Sequence, residues 1–481
     1  MTMHSLQLIF CAFAVCTAAQ GTTSVCGQST QADFVDQETV DRLFDNGDPW
    51  IRPVCFEASP CGDVCGCGES VEGCGSAHGG CGDLMKRERL FGDVFGPKSA
   101  LAEKGIITDF MLGQYWQGVT SGGNQQGDFY GGKVDMYATI LGPTLGLNKS
   151  FALVVHAETR FGEDVSGAAG SLTTPNGPML WPLPGDYHGT NITGLSFVQN
   201  VHDDSIGITG GKLNVLDLTT GLFPEIAGGR ESFVNVNALA TALPWFRFVN
   251  LSMWGAGAWT YDKEAGGQIG HGFVVFGLDN TSDNWDFSPS FEDGVGMLGW
   301  LRFFHEIDGK PGYLMGAVGG ATRGYNSLQR NDFLVIPGQG LVSTAQKKPW
   351  DVAGYASQVL WQDDCNKARN IRLTVGGTIA DDNPSFSNWN AFSRLEGFGL
   401  VQSRPGDRMG VAGWYNGLSN NVINLAGTVG FPARDNWGME LYYNREINPW
   451  FHVTGDMQIL QNSTATTDTS LVLGLRAIID L

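Results

Sequence analysis

The residues in this chain best placed to do chemistry are a carboxylate and a guanidinium two positions apart. Glu158 and Arg160 follow His156 in a run where Phe151, Leu153, Val155, Ala157, Thr159 and Phe161 hold the alternate positions. In an extended chain, side chains point to opposite faces with period two, so the three ionisable groups share one side. That side can line a wet passage and exchange hydrogen bonds with a small hydrophilic solute, or close on itself as an ion pair that stiffens a wall. Both readings stand. Lys212, Arg230 and Glu231 are further candidates for a polar lining, although Gly210 and Gly211 suggest a bulge that leaves their facing open. Trp181, in Met179-Leu180-Trp181-Pro182, lies in a long segment able to fold into a mouth or constriction. Most of the other tryptophans fit interfacial anchors better. Asp456 and Arg476 fall on the polar phase of neighbouring strands, where a cross-strand pair is expected.

Catalytic spacings are scarce. Gly294, Gly296 and Gly299 match GxGxxG, but inside an apparent strand with no helix to follow, so no dinucleotide fingerprint is implied. There is no GxSxG elbow, HExxH or Walker loop. An enzyme is therefore not expected. Cys55, Cys61, Cys65, Cys67, Cys74 and Cys81 crowd a glycine-rich stretch without CxxC or paired-histidine spacing, which argues for disulfides in an oxidising compartment over a structural zinc site.

The elements that position these residues are strands. With 68 glycines and only 16% charged residues, the composition favours many strands and turns over helices. The net charge of -20 repels phosphates, so nucleic acid is not an expected partner. Leu6 to Ala19 is an apolar run ending in small residues, the shape of a secretion signal, and too short to span a bilayer. Because every later apolar run is interrupted, a membrane form of this chain has to be a closed barrel.

The clearest alternation lies near the C-terminus. Phe451, Val453, Met457 and Ile459 alternate with His452, Thr454, Asp456 and Gln458. Leu471, Leu473, Leu475, Ala477, Ile479 and Leu481 do the same in the last segment, with Val472 and Ile478 as exceptions on the polar phase. Noisier segments occur at Phe273 to Leu278, Tyr313 to Gly320, Asn370 to Ile379 and Gly438 to Asn444. Trp437, Tyr442, Tyr443 and Trp450 gather at apparent strand ends, where a barrel carries its aromatic girdle. The fold class expected is all-β: a transmembrane antiparallel β-barrel over residues 98–481, preceded by a signal (1–19) and an N-terminal periplasmic segment (20–97) with its Cys-rich stretch at 55–81.

The block from Tyr442-Tyr443-Asn444-Arg445-Glu446-Ile447-Asn448-Pro449-Trp450 through Asp456-Met457-Gln458 to Leu473-Gly474-Leu475-Arg476 resembles the closing strands of the carbohydrate-selective porins, the OprB family. Leu101-Ala102-Glu103-Lys104-Gly105-Ile106, Tyr115, Gly122-Gly123, Gly131-Gly132, Gly211-Lys212-Leu213-Asn214 and Phe291-Glu292-Asp293-Gly294 fit further family segments. The resemblance implies about sixteen strands in the lipid of a bacterial outer membrane, passive sugar-preferring diffusion into the periplasm, and no bound cofactor. Porins of this kind often assemble as homotrimers. The Cys-rich segment departs from the family pattern. Two alternatives follow from it and from the charge: a general or cation-preferring pore, and a barrel that anchors a structural or adhesive surface segment.

Overall fold

The computed structural model describes residues 84–93, 96–180, 189–240, 242–338, 340–428 and 430–481. The secretion signal, the six clustered cysteines and Trp181 lie outside the described residues.

Period-two alternation resolves into β1 (Ile106–Ser121), β2 (Gly127–Leu141), β3 (Phe151–Gly162), β4 (Gly189–Val201), β5 (Ile206–Asn214), β6 (Ser252–Asp262), β7 (Gln268–Gly277), β8 (Val295–Ile307) and β9 (Lys310–Ala321). Two small hairpins follow, β10 (Tyr325–Asn326) with β13 (Gln346–Lys347) and, between them, β11 (Phe333–Ile336) with β12 (Gly340–Ser343). The main sheet resumes with β14 (Trp350–Gln362), β15 (Asn370–Ala380), β16 (Ser387–Phe398), β17 (Arg408–Leu418), β18 (Asn436–Asn448), β19 (Phe451–Leu460) and β20 (Ser470–Asp480). β1–β9 and β14–β20 form a closed barrel of sixteen strands. β20 pairs antiparallel with β1, Met111 opposite Asp480 and Val119 opposite Val472, so the wall has no free edge. The GxGxxG match falls at the start of β8, as its setting implied.

The wall is apolar outside and charged within. In β8 the outward Met297, Leu301 and Phe303 are 46%, 57% and 57% exposed, whereas the inward Trp300 and Arg302 are 3% and 2% exposed. Hiding one such apolar side chain from water is worth ~1.5–3 kcal/mol. A full circle of them is compatible only with hydrocarbon outside. Among the described residues no helix is long and apolar enough to cross a membrane, which leaves the strands to do so.

Connections differ at the two ends. Residues 202–205, 263–267, 308–309 and 449–450 are short turns at one end, and residues 163–188, 215–251, 278–294 and 322–349 are long connections at the other. The chain before β1 packs on the short-turn end: Leu90 N–H donates to the Asp480 carbonyl (2.7 Å), Lys98 Nζ to the Leu481 carbonyl (2.6 Å) and Trp450 Nε1 to the Leu84 carbonyl (2.7 Å). Cys365, in the turn between β14 and β15, is disulfide-bonded.

Three expectations need correction. Tyr442 does not join an aromatic girdle: it is 1% exposed, points inward and meets the Phe233 ring edge-on at 4.8 Å. Arg476 and Asp456 do not stand opposite each other. The register sets Arg476 against Thr454 and Asp456 against Gly474, and Arg476 donates instead to the carbonyls of Gly229 and Ser232. Nor is there a bulge at Gly210 and Gly211, since β5 keeps continuous register with both neighbours. Gly211 has φ +133, and a Cβ there would collide with the Leu195 carbonyl, so glycine serves close strand approach.

Candidate functional site

The inside of the barrel is built by the connection between β5 and β6. Asn214 stops β5 and starts helix Val215–Leu222, its side chain accepting the Leu216 N–H at 2.9 Å. Asp217 in the first turn suits the positive helix end and meets His156 Nδ1 at 2.9 Å. Pro224 opens a short 3-10 turn ending at Gly228 and Gly229, both with positive φ. Asn235 then caps a second helical turn, Val236–Leu239, by accepting the Asn237 N–H at 3.0 Å.

Wall side chains receive the unpaired backbone groups of this segment. A helix leaves its last carbonyls without partners. Arg302 on β8 donates to the carbonyl of Leu222 at 2.8 Å, and Arg394 on β16 to those of Ala238 and Leu239 at 3.0 and 2.9 Å. Glu440 on β18 accepts the N–H groups of Val234 and Asn235 at 2.8 and 2.9 Å. Gly177 N–H donates to the Val234 carbonyl at 2.8 Å, joining the connection after β3 to the same structure. Behind these polar ties, Phe223, Phe233 and Phe248 pack with Met253, Phe276, Trp300, Met315 and Tyr355 of the wall into an apolar core inside the barrel. The segment therefore crosses the interior as a fixed element rather than a free loop.

Charges cluster where this segment meets the wall. Glu225 accepts from Arg394 at 3.1 Å and from the Tyr313 hydroxyl at 3.3 Å, with Arg372 at 3.9 Å. Burial pushes the Glu225 carboxyl up, but Arg372, Arg394 and Arg302 outweigh it and hold it below its ordinary range. Arg408 pairs with Glu231 at 3.2 Å, and Arg230 donates to the Tyr137 hydroxyl at 2.7 Å and lies 3.4 Å from Asp135. Arg372, Arg408 and Arg230 keep side-chain exposures of 24%, 24% and 21%, so these three side chains are partly open to water.

The sequence candidates fall in three places. Glu158 and Arg160 face inward as the alternation predicts, but both are buried, and Glu158 pairs with Lys133 rather than with Arg160. Arg230 and Glu231 sit on the crossing segment, not on a strand. Lys212 stands opposite Leu195 and Trp254, and Leu195 in turn opposite Val155, which is the outward phase. Its ammonium donates to the carbonyls of Ile192 and Asn284 at 2.7 and 2.9 Å and lies 4.6 Å from the Trp285 ring centre. It is sealed outside the lumen under residues 278–294, because strand parity sends it there. Asp135, His156 and Glu158 come close enough to suggest metal ligands, but the Lys133 ammonium already bonds both carboxylates. Sequence reading missed Glu225, Arg302, Arg372, Arg394 and Arg408. Arg394 and Glu396, two apart on the face of Asn390 and Phe392, carry the same signal as Glu158 and Arg160 and could have been found by it.

Comparisons agree with this geometry. A family model described as carbohydrate-selective porin, OprB family, matches residues 141–481. The high-pH structure of Pseudomonas putida OprB superposes with a TM-score of 0.67 at 15% identity, covering 82% of this chain and 99% of that one. The low-pH structure of the same porin gives 0.51 at 14% identity over the same shares. A search of curated protein sequences finds no match. Family and fold are those of channels rather than enzymes. A closed sixteen-strand wall, apolar outside and crossed by a charged inner segment, is thus matched by family as well as by shape: the chain belongs to the carbohydrate-selective OprB porins and is an integral outer-membrane barrel through which carbohydrates pass.

Proposed function

We propose that sugars diffuse passively past the guanidinium groups of Arg230, Arg372 and Arg408, which the buried carboxylates of Asp135, Glu225 and Glu231 hold in place. The observation that carries this reading is that these three arginines keep water-accessible faces while Arg302 and Arg394 are buried against the crossing segment. A sugar hydroxyl oxygen accepts from a guanidinium N–H, so these groups replace part of a sugar's hydration shell. Net gains of about 1 kcal/mol per bond keep each contact weak enough to release the solute. The Phe398 ring, 5.6 Å from the Arg408 guanidinium, offers an apolar face for a pyranose.

The test is liposome swelling. Purified protein should speed swelling in monosaccharide solutions more than in size-matched amino acids, and the double variant Arg372→Ser, Arg408→Ser should lose about fivefold of that preference. Equal rates in the unaltered protein would refute the preference. A general or cation-preferring pore finds less support, since the accessible groups at the crossing are cationic and the charge of -20 is a total over the whole chain.

We read residues 1–19 as the signal, 20–97 as a periplasmic segment and 98–481 as the barrel. A homotrimer in outer-membrane lipid is the assembly carried over from the resemblance, and cross-linking in native membranes tests it.

A further inference from the structure

A porin interior is expected to be wet, yet one cavity in this barrel offers water almost nothing. It measures about 120 Å³ and lies between helix Val215–Leu222 and the inner faces of β8, β9 and β14. Leu222, Phe223, Ile226, Trp300, Met315 and Tyr355 are among its walls. Thr219 and Thr220 also border it, but their hydroxyls donate to the carbonyls of Val215 and Leu216 at 2.8 and 3.0 Å, so those donors are spent within the helix. The indole N–H of Trp245 is likewise directed at Thr378 Oγ1, 3.4 Å away. A water needs two to four polar partners to be held, and these walls do not supply them; the cavity is partly open rather than sealed, so an apolar guest can enter it. Aliphatic and aromatic walls together suit a flat ring, through dispersion and edge contacts.

We propose that this cavity is a binding site for a small apolar group of benzene size, either a free aromatic molecule or the aromatic aglycone of a glycoside in transit. The site is distinct from the arginine-lined path, and its existence does not depend on that reading. It is placed to matter, because one of its walls is the helix whose last carbonyl Arg302 holds and which leads into Glu225. A ligand bound here ties the crossing segment to β8, β9 and β14, and stabilises the folded interior in proportion to its occupancy.

The test uses crystals of the full chain, exposed to iodobenzene and, in parallel, to xenon. Anomalous density for iodine and xenon inside the cavity is the expected result; absence of both overturns the proposal. Ala317→Phe fills the cavity from β9 and should abolish the density while leaving glucose-driven liposome swelling within about twofold of the unaltered rate. Val249→Phe fills it from the crossing segment if the first variant fails to form a barrel that runs differently before and after boiling. Density that persists unchanged in a folded, filled variant also overturns the proposal. Phenyl glucoside distinguishes the two sources: slowing of glucose entry in the unaltered protein but not in the filled variant identifies the aglycone, and no slowing identifies the free molecule. Crystal density does not report flux, so failure here and failure of the sugar path are separable.

Discussion

Burial by itself would raise the Glu225 carboxyl, and it is the surrounding guanidinium groups of Arg372, Arg394 and Arg302 that keep it below its ordinary range. A carboxylate with a depressed folded value contributes stability that is fully present above the unfolded value, about 4.3, and is lost as pH falls through the folded one. Lowering the pH from 7 to 5 should therefore leave this anchor intact. Weakening should begin only below about pH 4. Single-channel conductance in planar bilayers checks this, with a flat profile from 7 to 5 as far as Glu225 is concerned. Glu225→Gln acts differently, because it leaves three arginines without their shared counter-charge. Breaking a buried pair from one side costs about 3–5 kcal/mol, so the midpoint of thermal unfolding should fall. The reversal potential in a salt gradient should also move toward anions. An unmoved reversal potential in the folded variant would place the solute path away from Glu225.

At the scale of elements, strands were readable and the crossing segment was not. Phe451 to Ile459 and Leu471 to Ile479 show their two faces in the sequence alone, because a wall between lipid and interior demands period-two alternation. The exceptions Val472 and Ile478 prove to be buried inward residues at 0% and 1% exposure, which fits an interior that is partly apolar. Glu158 and Arg160 gave their facing but not their partners. Those depend on the register that sets Asp135 opposite Glu158 and Lys133 opposite Arg160, information held in another strand. Residues 215–251 carry helical and turn signals, yet nothing local says that they enter the barrel, since the groups that hold them lie on β8, β16, β18 and β20. Lys212 was misplaced for a related reason: parity within β5 is fixed only by its neighbours. The crossing segment carries its own prediction. Phe233 is fully buried against Tyr442, so Phe233→Ala should cost about 3–5 kcal/mol of folding stability. With that wedge gone the segment should loosen, and bilayer recordings should show larger and noisier conductance steps. A quiet, unchanged channel would mean that the polar ties to Glu440 and Arg394 suffice.

At the scale of the whole molecule, the chain before the barrel follows the short-turn rim. From Lys98 beside Leu481 it passes Leu90 at Asp480 and reaches Leu84 at Trp450, moving from β20 toward the turn between β18 and β19. The turn that holds Cys365 lies farther along the same rim, between β14 and β15. Cys365 is disulfide-bonded, and every other cysteine in the chain precedes residue 84. A bond within this chain is therefore expected to link Cys365 to one of the cysteines before residue 84. Peptide mapping without reductant should recover a fragment containing Cys365 linked to one containing an N-terminal cysteine, and treatment with dithiothreitol should separate them. Recovery of Cys365 as a free thiol from protein made in an oxidising compartment would remove the tether. Deleting residues 31–83 then decides what the tether holds. If the segment is an accessory on the rim, sugar-dependent conductance survives the deletion. If conductance is lost while the barrel still folds, the Cys-rich segment is part of the channel.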